Sequence, residues 1–178
     1  MELTEALADK KNEILSLWIA RTLDSYVSPG FFKSSKDPFA NPVGSNISAG
    51  LTTLLELLLA NAEQQAFVSA LDQVIRIRAV QEFTPAQALA PFLELKWVVK
   101  QVFSGDKKTQ PLLQSLDGLD CEIDRLALSA FNIYSECREQ LYRNRIRELK
   151  SGSAVLTDAA CPSAVLRQEL NGVDAKIE

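Results

Sequence analysis

Four polar residues, Arg76, Arg78, Gln81 and Glu82, form the one polar cluster inside otherwise apolar sequence. Two guanidinium groups beside an amide and a carboxylate can act in two ways. They can join neighbouring helices through ion pairs, each worth little at a surface. Or they can present an anion or ligand with charge-assisted donors between two helices. The rest of the chain offers no reaction chemistry. It has no histidine, which removes the commonest general base and metal ligand. A Ser-His-Asp triad, a Cys-His dyad, an imidazole-bound zinc and haem on a proximal histidine are excluded with it. Carboxylates are plentiful, but they form no matched set of the di-metal kind. Asp120, Glu122 and Asp124 suit the positive end of a helix that restarts after Gly118, and the 12-residue calcium loop is missing. Glu56 lies within a leucine-rich helix, either near the core or on a solvated face. The seven glycines are scattered and build no phosphate loop. No nucleophile–base pair, metal set or phosphate loop can be assembled, so the expectation is a protein that is not an enzyme and carries no cofactor.

The composition narrows the class further. A chain of 178 residues is most simply one domain with a real core. Its formal charge of -4 and pI of about 5.0 argue against a nucleic-acid partner, which would call for a basic field. Arg138, Arg143, Arg145 and Arg147 alternate with Glu136, Glu139 and Glu148, the pattern of a solvated helix end. The apolar run over residues 51–60, LTTLLELLLA, is about half the length that spans a bilayer, and Glu56 interrupts it. No membrane insertion is expected, and the N-terminus shows no secretory pattern. The three cysteines, Cys121, Cys137 and Cys161, are widely spaced and form no CxxC pair. They fit a reducing, cytoplasmic compartment. Cys121 and Cys137 lie about 160° apart around a helix, on nearly opposite faces, and cannot bridge.

The elements that would position these residues are all helical. A first helix is expected over residues 3–26, stopped by Pro29-Gly30. A loop to about Asn41 follows, with Phe31, Phe32 and Phe39 pinning it onto the core or lining a pocket. A second helix opens near Val43 or Gly44, with Ser45 or Ser48 as its cap, and ends near Asn61. A third covers residues 67–82. There Asp72 and Arg76 can pair on the surface, and Arg78 shares a face with Leu71 and Ile75. A fourth has a strong start signal in Thr84-Pro85-Ala86-Gln87. Pro91 should kink that helix or break it near Gln87. Trp97 counts among its apolar-face residues. The last helix begins near Thr109 or Gln110 and runs to about Lys150, with Gly118 as its weak point.

That last helix organises the chain. Leu112, Leu116, Leu119, Ile123, Leu126, Ala130, Ile133 and Cys137 recur at steps of four and three, the spacing of one packing seam. Leu128, Phe131, Tyr134 and Leu141 make a second stripe beside it. A helix with two apolar stripes can face its own bundle with one and a second subunit with the other. Residues 150–178 change character and read as a linker and partly ordered tail. The fold expected is an all-α bundle of about five to six helices.

Asn41-Pro42-Val43-Gly44, the run LDQVIRIRAVQEFTPAQA over residues 71–88, and Leu95-Lys96 resemble the N-terminal sensor domain of stressosome co-antagonist proteins, the RsbRD N-terminal family. The likeness covers about residues 10–149, and its most specific part is the Arg-Ala-Val-Gln-Glu-Phe-Thr-Pro run. The resemblance implies a globin-like fold without haem, over a domain of residues 1–149, and a homodimer joined by terminal helices. It implies a non-enzymatic role in stress signalling, through an unidentified regulatory protein partner and a small-molecule signal or none. Family members place this domain before a phosphorylatable STAS domain. Only about 28 residues follow the bundle here, so a stand-alone member is expected. Two other readings stand beside this one: an adaptor that docks on a respiratory or other complex without a ligand of its own, and a haem or tetrapyrrole protein.

Overall fold

The computed structural model describes residues 2–34, 39–81 and 83–151. Among these, seven α-helices and two short 3₁₀ segments follow one another without a strand. The fold is all-α, as the sequence led us to expect. The helices are α1 (Leu3–Asp9), α2 (Lys11–Asp24), α3 (Pro29–Ser34), α4 (Pro42–Leu59), α5 (Phe67–Val80), α6 (Pro85–Ser104) and α7 (Asp117–Ser151), with 3₁₀ turns at Gln64–Ala66 and Gln110–Ser115. The chain divides into one unit up to Arg138 and a second from Glu139. The expected tail and Cys161 lie outside the described residues. None of the described helices is long and apolar enough to cross a membrane.

The first unit is built on α2, which packs against both α4 and α6, and on the close pair α4 and α5. Trp18 from α2, Leu51 and Leu54 from α4, Leu71 and Ile75 from α5, and Phe92 and Phe103 from α6 are fully buried. Gly50 lets α4 and α5 approach, since a Cβ there would strike the Val74 side chain. Ile123, Leu126 and Ala130 of the seam are buried, and Ile133 and Cys137 half-buried. Lys96 and Lys100 of α6 reach Asp124 and Asp120 of α7, each at 2.7 Å. Pairs this exposed orient helices more than they stabilise them.

The local signals account for several helix ends. At α6 the Thr84 hydroxyl accepts the Gln87 backbone N–H at 3.3 Å, while the Gln87 side-chain oxygen accepts the Thr84 backbone N–H at 3.0 Å. Both are orphan donors of a helix start, satisfied reciprocally. At α4 the cap is Asn41, whose Oδ1 accepts the Gly44 N–H at 2.9 Å. Asn41 replaces the Ser45 or Ser48 expected, and Pro42 is the first helical residue.

Elsewhere the structure corrects the expectations. The first helix is two: the backbone leaves helical geometry at Lys10 (φ −90°, ψ 2°). Its ammonium group meets Asp106 at 3.1 Å. The Lys108 backbone N–H and then Lys10 hold the Asp106 carboxyl below its usual range. Residues 29–34 form a helix, not a loop, because Pro29 stands at its start, where a missing N–H costs nothing. Of the three phenylalanines, only Phe32 packs on the core; Phe31 and Phe39 are exposed. Trp97 is also exposed, with the Arg21 guanidinium 4.3 Å from its ring centre. Glu56 is solvated and accepts from Lys11 at 2.7 Å. The last helix starts at Asp117, after a 3₁₀ turn, so Gly118 sits in its first turn and breaks nothing. Asp117 and Asp120 supply the negative charge there. Cys121 and Cys137 are both free.

Candidate functional site

Leu71, Val74, Ile75 and Arg78 recur at steps of three, one and three along α5, a single core-facing stripe. Arg78 is thus carried into the interior by its own helix and has no exposed surface. Arg76 lies on another side of α5, where Asp72 holds its Nε at 2.6 and 2.8 Å in the open. The expected four-residue cluster is therefore divided. Gln81 is half-buried where α5 ends, and Glu82 lies outside the described residues.

A buried guanidinium needs acceptors. Nε of Arg78 donates to the Ala88 carbonyl at 3.1 Å, and Nη2 donates to the Gln87 carbonyl at 2.9 Å and to Ser25 Oγ at 3.0 Å. The Gln87 carbonyl is open for a chemical reason. In an α-helix it would accept from the residue four places on, which is Pro91 and has no N–H. Of the kink or break expected at Pro91, the break does not occur, and the helix runs continuously through it. Arg78 supplies the donor that the proline lacks. On the next turn Trp18 Nε1 donates to the Pro91 carbonyl at 2.7 Å.

Two rings enclose the charge. The guanidinium carbon lies 4.2 Å from the Phe83 ring centre and 5.2 Å from that of Tyr26. Those rings meet edge-on at 5.1 Å. No carboxylate of the described residues pairs with Arg78. Nη1 of Arg78, the Tyr26 hydroxyl and Oε1 of Gln81 are buried and complete no well-formed hydrogen bond, although the guanidinium and the Tyr26 hydroxyl lie close enough to interact. Burial raises the Tyr26 pKa, against the pull of the neighbouring guanidinium. Burial also lowers that of Arg78, against the effects of Tyr26 and Glu94. At neutral pH this is a protonated phenol beside a charged guanidinium.

An open cleft of about 980 Å³ lies over these groups. Tyr26, Phe31, Phe32, Gln81, Phe83 and Gln87 line it, so Phe31 and Phe32 belong to a pocket wall. The same wall is tied to α7: the Tyr134 hydroxyl donates to the Phe83 carbonyl at 2.8 Å, and Arg138 Nη1 to that of Ala79 at 3.2 Å.

Tyr134 consequently leaves the second stripe. It is only 4% exposed, because it follows the buried Ala127 and Ala130 at steps of three and four. Leu128, at 67%, and Phe131, at 46%, do face outward from the first unit. Leu141 belongs to the second unit, where it is exposed. Sequence reasoning missed three further exposed residues of that unit, Tyr142, Ile146 and Leu149, spaced at four and three. Their periodicity was the available signal, hidden by the charges between them. It also missed Ser25, Tyr26, Phe83 and Gln87 around Arg78. Only Pro91, one turn beyond Gln87, hinted that a carbonyl there would want a donor.

No curated protein and no solved structure matches the chain. A family model does: that of the RsbT co-antagonist protein rsbRD N-terminal domain, over residues 12–149. A match over that much of the chain settles its kinship: the protein belongs to the RsbT co-antagonist protein rsbRD N-terminal domain family, a group of stressosome-related regulatory domains.

Proposed function

We propose that this chain is a non-enzymatic regulatory domain of globin-like design that works as a homodimer and passes its state to a regulatory protein partner. The observation that carries this reading is the outward face of α7. Leu128 and Phe131 expose apolar side chains one turn apart on the first unit. Within the second unit, Ile146 and Leu149 do the same at a step of three. Apolar groups spaced along one helix suit a second helix better than water. The family membership supports regulation over catalysis, and the groups around Arg78 include no nucleophile–base pair. The free Cys121 and Cys137 suit the cytoplasm.

The experiment is a double substitution, Leu128→Glu with Phe131→Glu, followed by sedimentation velocity at about 10 µM. Charges facing each other across an apolar contact should weaken the dimer at least 100-fold, so the variant should sediment as one chain. Far-UV circular dichroism should not change, because both side chains are already in water in the single subunit. Tyr134→Phe is the contrast: it removes an internal hydrogen bond worth about 1 kcal/mol and should leave the dimer intact. If the double variant keeps the wild-type mass, this face is not the interface.

A further inference from the structure

We propose that the cleft over Arg78 is a binding site for a small monocarboxylate with an apolar body, whose carboxylate becomes a counter-ion of the buried guanidinium. The inference deepens the regulatory reading and rests on it for the meaning of the signal, though not for the binding itself.

Three observations converge. First, Arg78 is fully buried, and no carboxylate among the described residues pairs with it. Taking a charge out of water costs several kcal/mol unless it is paired. The carbonyls of Gln87 and Ala88 and the Ser25 hydroxyl use Nε and Nη2, and they leave Nη1 unused. Second, the atoms without a complete hydrogen bond have the right polarity. The Arg78 guanidinium and the Tyr26 hydroxyl lie close enough to interact, yet neither Nη1 nor the hydroxyl completes a well-formed hydrogen bond, so the pair can offer one donor to each oxygen of a carboxylate. The Gln81 amide can present its oxygen or, turned over, its NH₂. Third, the wall carries three phenylalanines, Phe31, Phe32 and Phe83, and the apolar Val27, beside the polar Ser25, Ser28 and Gln87. Its volume of about 980 Å³ lies within the range that holds small molecules. Two such donors suit a carboxylate better than a phosphate, whose three oxygens and greater charge would be left poorly matched.

The guanidinium lies behind the Tyr26 and Phe83 rings, so the carboxylate reaches Nη1 as those rings part. Phe83 is also the residue whose carbonyl Tyr134 of α7 holds at 2.8 Å. Displacing its ring therefore acts on the helix proposed to carry the output.

The test is calorimetric titration of the full chain, with thermal denaturation in parallel. The probes are sodium phenylacetate and sodium octanoate, with phenylacetamide and inorganic phosphate as controls. At least one carboxylate should bind saturably at or below the millimolar range and raise Tm. Phenylacetamide should bind at least 10-fold more weakly than phenylacetate, and phosphate should not saturate. A preference for phenylacetate assigns an aromatic body, and a preference for octanoate an aliphatic one. Tyr26→Phe keeps the ring and the fold but removes one donor, and should weaken binding about 10-fold. Arg78→Met should abolish it; should that variant fail to fold, Tyr26→Phe decides alone. Lys11→Gln, a distant surface change beside Glu56, should bind like wild type. The proposal is overturned if neither carboxylate saturates, if the amide binds as well as the acid, if phosphate binds more tightly, or if Tyr26→Phe binds like wild type. A dimer that binds no carboxylate would overturn the ligand and spare the regulatory reading. A monomer that binds one would do the reverse.

Discussion

Replacing Arg78 by Ala should lower the folding free energy by about 3 kcal/mol, and replacing Pro91 by Ala as well should recover about 1 kcal/mol of that loss. Arg78 is the donor to a carbonyl that its own helix cannot satisfy. Without it the Gln87 oxygen, which now accepts at 2.9 Å, is left in the interior with no partner. A stranded buried group costs about 1–3 kcal/mol, and the emptied volume adds a cavity term. Relief from burying the charge offsets part of both. With Ala at 91 an N–H stands where the helix needs one, and Gln87 regains its partner inside α6. The two changes are therefore non-additive, and a double-mutant cycle in urea measures the coupling. If the changes add to within about 0.5 kcal/mol, Arg78 and Pro91 act independently, and the carbonyl is not what joins them.

Trp18→Ala should cost about 3–5 kcal/mol, the range for deleting a large buried aromatic. Trp18 is completely buried on α2 and sits where that helix meets α6. Its indole N–H also holds the Pro91 carbonyl at 2.7 Å, so the proline-bearing stretch is gripped by Arg78 on two carbonyls and by Trp18 on a third. Trp18→Phe keeps most of the apolar volume, and the Pro91 carbonyl keeps its place in the helix ladder. About 1–2 kcal/mol is expected there. Equilibrium denaturation gives both numbers. A cost below about 1 kcal/mol for Trp18→Ala would mean that the junction of α2 and α6 is not part of the core.

These residues show how far periodicity and local chemistry carry. The step pattern of Leu71, Ile75 and Arg78 was enough to set Arg78 on the apolar face of its helix. The Thr84-Pro85-Ala86-Gln87 signal placed the start of α6. Both depend on neighbours in sequence. Tyr134 was grouped with Phe131 at a step of three, yet Ala127 and Ala130 claim it for the inner face. Adjacent stripes on one helix are separated only by packing. The partner that tolerates Pro91 comes from a different helix, so no window of sequence around Pro91 contains it. Pro29 was read as a stop because Pro-Gly commonly ends a helix, but the same residue equally starts one. The break at Lys10 carries no glycine or proline, and its position near Asp106 is a tertiary fact. The orphaned atoms of Tyr26, Arg78 and Gln81 are likewise invisible in sequence, since an unsatisfied group is defined only by what surrounds it.

Light scattering coupled to size exclusion, run on the full chain from about 1 to 100 µM, addresses the proposed regulatory dimer most directly. A dimer should elute with a mass near twice the 19.7 kDa of one chain and should persist into the low micromolar range. A mass of one chain across the whole range would contradict dimerisation and leave the exposed Leu128 and Phe131 face without its proposed partner.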